Sequence, residues 1–157
     1  DFSNDVRDTV NIEDYIIVYA YPFNLTDEEC SYIKEFAQKH NKKIVSIGSY
    51  QKCTDIFIPA HPLEVLPYFK KADFVITNTF HGTIFSTKTH TPFISFTRNY
   101  NSNKLTDLLK RLKLEQRLVP SLEHIEEKWK EPIDFSKTDA IIREEKKKSI
   151  DYLRSNI

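Results

Sequence analysis

The sequence predicts a three-layer α/β domain with a mostly parallel sheet, and three observations carry that reading. Apolar runs of strand length alternate with segments of helical periodicity along most of the chain. Two of these runs, Phe74 to Thr77 and Phe93 to Phe96, are about 15 residues apart, enough for the crossover that joins parallel strands. Tyr15 to Tyr21 is a continuous apolar, β-branched and aromatic stretch, the pattern of a strand buried on both faces. At 157 residues the chain is about one domain, large enough to bury roughly 68–70% of its unfolded surface.

Residues 1–14 are polar and aperiodic and are expected to form a linker, with the domain running from 15 to 157 and ending in a long helix. After the Tyr15 strand a helix start is well marked. Thr26 can cap it, Glu29 completes a capping box, and Leu25 can pack on Cys30 as a hydrophobic staple. Cys30, Ile33, Phe36 and Ala37 recur at helical spacing and define its buried face. Lys43 to Ile47 reads as the second strand, ending at Gly48, and Asp55 to Ile58 as a short third. Pro62 suits the first turn of a helix running to Lys71, in which Pro67 is expected to make a kink or a split.

Thr83 to His90 is rich in threonine, isoleucine and phenylalanine, which favours strand on propensity alone. Topology predicts a helix there, because a right-handed crossover between parallel strands normally passes through one. Leu105, Leu108, Leu109 and Leu112 fall at i, i+3, i+4 and i+7, and Ser102 or Asn103 can cap that helix. Leu118 to Val119 adds a last short strand. Thr138 to Arg154 reads as a terminal helix whose Arg143 to Lys148 charges form a solvated face.

Composition excludes several classes of function. With 23 basic and 23 acidic residues there is no electrostatic case for nucleic acid or an anionic membrane. The longest apolar run, Tyr15 to Phe23, is far short of the ~18 residues of a membrane span. Cys30 and Cys53 have no metal-ligand spacing, so a reduced protein without metal or cofactor is expected. The Asn24-Leu25-Thr26 triplet matches a glycosylation acceptor pattern, but with no secretion signal in the sequence it is expected to stay unused. The chain has no methionine and is expected to be part of a longer protein.

The carboxyl edge of such a sheet, where open α/β sheets bind ligands, should carry Tyr21, Gly48, Ser49, Thr79 to Gly82, and Thr97 to Asn99. The chain has only two glycines where average usage of about 7% gives roughly eleven, so Gly82 beside His81 points to a close approach to the backbone. If Gly82 and Thr83 open a helix, their N–H groups form an anion site, with the Thr79 or Thr83 hydroxyl as a further donor. His81 can supply a hydrogen bond and a proton, and Arg98 can grip a carboxylate or phosphate bidentately. The reading competing with this is structural: a strand-end histidine that only hydrogen-bonds, and an arginine on plain surface. His61 could line the same cleft, whereas His40 and His124 look peripheral and His90 structural. Thr97, Asn99, Asn101 and Lys104 could line a polyol pocket or make ordinary turns.

The run Ala72 to Ser86, ADFVITNTFHGTIFS, followed by the Pro92-Phe93 strand, resembles the signature of the polysaccharide pyruvyl transferase family. Tyr15 to Tyr21, Pro62 to Leu66, Asn103 to Arg117 and Ser149 to Leu153 agree with it in order. The resemblance implies one Rossmann-like half, the carboxyl-terminal one, of a two-domain fold like that of GT-B glycosyltransferases. It also implies transfer of the enolpyruvyl unit of phosphoenolpyruvate to a sugar of a bacterial surface polysaccharide, closing a ketal and releasing phosphate. His81 matches the motif histidine, a general acid or phosphate ligand, with Thr79, Phe80, Gly82, Thr83 and Arg98 as candidates to bind the donor.

The implied partners are phosphoenolpyruvate, a carbohydrate acceptor and the protein's own amino-terminal domain, without which the chain is expected to be inactive. The implied location is cytoplasmic, peripheral to the membrane through lipid-linked glycans. Some pyruvyl transferases carry an arginine where this chain has Thr79, so the donor's cation must come from elsewhere. Two other readings compete: a glycosyltransferase using a nucleotide sugar, and a non-catalytic glycan-binding or scaffolding module. The region Ile47 to Tyr50 has no glycine-rich phosphate loop and no acidic residue for a dinucleotide.

Overall fold

The computed structural model describes residues 10–98 and 102–157. Six strands form one parallel sheet: β1 (Tyr15–Tyr19), β2 (Lys43–Ile47), β3 (Ile56–Ile58), β4 (Phe74–Thr77), β5 (Phe93–Phe96) and β6 (Leu118–Val119), in the order β3-β2-β1-β4-β5-β6. The chain therefore leaves β1 in one direction, returns, and continues from β4 in the other. The topological switch point lies between β1 and β4.

Alternation along the strands sends side chains into two separate cores. Ile16, Val18, Ile44, Phe74 and Ile76 pack with Cys30, Ile33 and Phe36 of helix α1 (Asp27–Lys39), and Trp129 of α5 (Ile125–Lys130) closes that layer. Tyr15, Ile17, Val45, Val75 and Phe93 face the other way, towards Phe69 of α2 (Leu66–Lys71), Phe85 of α3 (Phe80–Thr89) and Leu108 and Leu109 of α4 (Ser102–Leu112). These are the three layers expected, with all strand pairs parallel.

The capping box forms as predicted: Glu29 N–H donates to Thr26 Oγ1 (3.1 Å) and Thr26 N–H to Glu29 Oε2 (2.8 Å). Leu25 and Cys30 are buried in the same cluster, consistent with the staple. The helix expected from Pro62 starts only at Leu66, and Pro67 occupies its first turn, where the missing N–H is no loss. Pro67 begins α2 and does not kink it. Helix α4 spans Ser102–Leu112, so Ser102 and Asn103, both expected as caps, lie within its first turn.

Helix α3 shows how a threonine-rich segment stays helical inside the core. The hydroxyls of Thr83, Ser86, Thr87 and Thr89 each donate to the carbonyl four residues back, at 2.8–3.0 Å. Each polar group is thereby satisfied within its own helix, and the strand propensity is overridden.

The linker expected over residues 1–14 is described from Val10 on, and Val10 is buried in the second core with its carbonyl accepting from Lys71 Nζ (3.3 Å). The terminal helix α6 spans Ser136–Ser155, and Thr138 anchors its first turn by donating to Leu112 O (2.9 Å). Beyond Glu145 it is exposed throughout, as its charges predicted. Cys30 and Cys53, distant in sequence, are neighbours, both free and buried. Burial first, then the adjacent Cys30, pushes the Cys53 thiol up to about 12.

Candidate functional site

At the carboxyl end of β4 the chain passes through Asn78 and Thr79 into α3. Thr79 is extended and is the N-cap: its Oγ1 accepts from Gly82 N–H at 2.9 Å. Beneath it, Thr77 Oγ1 donates to Tyr19 O (2.7 Å), accepts from Thr79 N–H (3.1 Å) and lies 3.0 Å from Thr79 Oγ1. Counting protons orders the chain as Gly82 N–H to Thr79 O–H to Thr77 O–H to Tyr19 carbonyl. This relay fixes the turn that presents His81 in the first turn of the helix.

The geometry corrects the expected anion site. Gly82 N–H and Thr83 N–H do not face a ligand, since the first bonds Thr79 Oγ1 and the second Thr79 O (3.3 Å). The Thr83 hydroxyl is buried between Thr79 O (3.0 Å) and Ser95 Oγ (2.7 Å). The close approach that calls for glycine at 82 is made by the side chain of Thr77, not by a ligand. What remains for an anion are the first-turn N–H groups of Phe80 and His81, which have no carbonyl four residues back inside the helix. Phe80 is partly buried against the second core.

His81 is exposed, its ring 6.2 Å from that of Phe85, and among the described residues it has no hydrogen-bond partner. Three other histidines are all paired with carboxylates. His40 lies 2.9 Å from Glu126 and packs on Phe36 and Trp129, so it belongs to the core margin and is not peripheral as expected. His90, the left-handed cap of α3, stacks on Phe135 and lies 2.8 Å from Asp139, and exposed His124 is 3.6 Å from Glu127. His61 is exposed in the loop after β3. The structural reading of His81 thus loses its main support.

Arg98 is neither a ligand grip nor plain surface. Its Nη1 and Nη2 donate to Glu29 Oε1 and Oε2 (2.7 and 2.6 Å), its Nε to Asn24 Oδ1 (2.9 Å), and Nη2 also to Asn24 O (2.7 Å). Asn24 Oδ1 accepts a further bond from the buried Asn78 amide, whose Oδ1 takes Tyr21 N–H (3.3 Å). The Asn24 side chain is therefore enclosed in a network that bridges the switch point. Sequence reasoning missed Asn24 and Asn78 as a pair, since 54 residues separate them and neither type by itself marks a site.

Burial would raise the Glu29 carboxyl, but the Arg98 fork and the Thr26 N–H outweigh it and hold the carboxyl below its usual 4.5. A lowered acid contributes stability above its unfolded value and loses it as pH falls through the folded one. Glu29→Gln is expected to cost about 2 kcal/mol at pH 7 and to flatten the fall in melting temperature below about pH 4.5. Thermal melts between neutral pH and pH 3 check both.

Thr97 is partly buried, Lys104 is exposed on α4, and Asn99 and Asn101 lie outside the described residues. Among the described residues no group of three or more His, Cys, Asp or Glu is placed to hold a metal ion, and no helix is long and apolar enough to cross a membrane.

The family profile of the polysaccharide pyruvyl transferases matches residues 2–100, well over half of the chain. The chain belongs to that family. Among proteins of curated function none matches it. Two solved structures share its fold. The UDP-GlcNAc 2-epimerase of Methanocaldococcus jannaschii, in complex with UDP-GlcNAc and UDP, is 14% identical with a TM-score of 0.55, over 84% of this chain and 45% of its own. The molybdenum cofactor binding protein of the phototrophic bacterium Rippkaea orientalis is 13% identical with a TM-score of 0.51, over 74% of this chain and 95% of its own. This pyruvyl transferase family member thus spans less than half the length of the epimerase it overlays.

Proposed function

We propose that this chain carries the donor-handling part of a pyruvyl transferase that moves the enolpyruvyl unit of phosphoenolpyruvate onto two hydroxyls of a polysaccharide sugar. The observation that carries the reading is His81: exposed, unpartnered among the described residues, and held by a buried hydroxyl relay at the switch point of a family member. An imidazolium there can protonate the methylene carbon of the donor, so that a sugar hydroxyl adds to the resulting oxocarbenium-like carbon. Loss of phosphate and addition of the second hydroxyl close the ketal, and each hydroxyl proton passes to base or solvent. The first-turn N–H groups of Phe80 and His81 favour an anion at the helix start. With Arg98 committed to Glu29, the cation opposing the departing phosphate comes from the rest of the protein, which is why turnover requires the full-length enzyme.

The test is phosphate release by the full-length protein from phosphoenolpyruvate with glycan acceptors, compared with His81→Ala. Turnover is expected to fall about 10²- to 10⁴-fold in the variant. The melting temperature should be unchanged, since the ring holds no hydrogen bond among the described residues. Donor at about 100 times its dissociation constant should add roughly 2.7 kcal/mol of stability to the wild type. Stabilisation by a uridine diphosphate sugar and not by phosphoenolpyruvate would make the reaction glycosyl transfer. Glycan binding indifferent to His81→Ala, without turnover, would make the protein a binding module.

A further inference from the structure

The loop after β1 breaks a local rule. Asn24 N–H donates to Tyr21 O (3.3 Å), closing a four-residue turn with Pro22 second and Phe23 third, and Phe23 has φ 51°. A turn with proline second and a left-handed third residue is the type II turn, which takes glycine there. The other non-glycine residues with positive φ among those described are Asp14, Asn41, His90 and Lys113. Aspartate, asparagine and histidine tolerate this region, and Lys113 follows the end of α4; for a bulky apolar residue the conformation is a strained outlier. Among the described residues no packing repays the strain, because Phe23 is 93% exposed.

An exposed phenylalanine alone would need no explanation. This one stands on an immobilised base. The Gln51 amide donates to Ala20 O (3.3 Å) and Tyr21 O (3.1 Å), the Asn78 carbonyl takes Tyr21 N–H, and Arg98 grips the carbonyl and side chain of Asn24. Side chains from the loops after β2, β4 and β5 thus converge on the residues flanking Phe23. The turn sits on the β1 side of the switch point, opposite the His81 turn on β4. Tyr21, two residues away, is 39% exposed.

We propose that Phe23, with Tyr21, is the platform on which the acceptor's pyranose ring stacks. The acceptor's being a carbohydrate rests on the function proposed above. The electron-rich face of an aromatic ring attracts the C–H bonds on the apolar face of a sugar. Such a ligand is neutral, and the cation that grips this turn, Arg98, is already paired with Glu29. Preorganising the turn lowers the ordering cost of binding, which is the use to which stored strain at a ligand edge can be put.

The experiment measures binding of methyl hexopyranosides and short oligosaccharides to the full-length protein by saturation-transfer NMR and calorimetry, alongside acceptor kinetics. Phe23→Gly is expected to fold with an unchanged or higher melting temperature, because glycine suits the turn. It should weaken glycan binding and raise the acceptor KM at least fivefold, with kcat changed less than twofold. Phe23→Trp should restore binding, and its emission should shift when sugar is added. A glycan affinity and KM unchanged within twofold in Phe23→Gly, or no glycan binding at all, overturns the platform. The two proposals fail separately. Ketal formation indifferent to Phe23 leaves the reaction standing and removes the platform, while Phe23-dependent glycan binding without ketal formation does the reverse.

Discussion

Gly82→Ala is expected to destabilise the domain by about 3–5 kcal/mol, a large part of the ~5–15 kcal/mol that a native domain possesses. A methyl group at 82 would overlap Thr77 Oγ1 outright and lie 2.8 Å from Thr77 Cβ and 2.9 Å from Thr79 Oγ1. None of these atoms can yield cheaply. Thr77 is a β-branched residue in a central strand, and rotating its hydroxyl away would break the 2.7 Å bond to Tyr19 O and strand Thr79 N–H in a buried site. Shifting α3 outward would open the Gly82 N–H to Thr79 bond and the Thr83 to Ser95 bond together. The first turn of α3 is the element that holds His81, so the same change should lower turnover beyond its effect on folding. Denaturant unfolding measures the loss. A cycle with Thr77→Ala, which removes the overlapping oxygen, should show a favourable coupling of more than about 1 kcal/mol. Additive effects would mean that the methyl group is accommodated without touching Thr77.

That result would also show why the sequence places the turn before α3 correctly and misreads its parts. The scarcity of glycine and the strand before it locate the turn, because strand period and crossover length are local properties of the chain. The reason for the glycine is not local: it depends on which way Thr77, the last residue of β4, points. Arg98 illustrates the same limit. Its fork pairs with Glu29, 69 residues away in sequence, so that a carboxylate legible as half of a capping box serves a second partner that no spacing rule reveals. Pro62 and Pro67 are both compatible with a helix start, and the chain uses the second. Propensity distinguishes neither. The amphipathic leucines of α4, by contrast, were readable because their burial follows from one helix and one sheet face.

Arg117 lies in a stretch that the family resemblance covers, yet nothing in its neighbourhood announces what it does. It follows α4 and is completely buried, with Nε donating to Phe93 O (2.7 Å), Nη2 to Lys128 O (2.9 Å) and Nη1 to Glu131 O (3.4 Å). Three carbonyls from β5 and from the end of α5 are thus tied to the start of β6 by one planar group. Desolvation draws its pKa down to about 10, with Glu131 opposing, so the guanidinium is still charged at neutral pH. Its carboxylate contact, 3.9 Å to Glu131 Oε2, is too long to account for the placement; the carbonyl oxygens compensate the buried charge. Arg117→Met keeps the length and apolar stem but leaves those carbonyls without a donor, and is expected to cost about 3–4 kcal/mol. Arg117→Lys should recover less than half of that, because a single ammonium cannot span three carbonyls as a planar fork does. Hydrogen exchange should show the loss concentrated at the β5–β6 edge and α5, with β1 and β4 protected to the same degree as in the wild type once global stability is allowed for. Equal loosening of all six strands would mean that Arg117 supports the whole fold and not this edge.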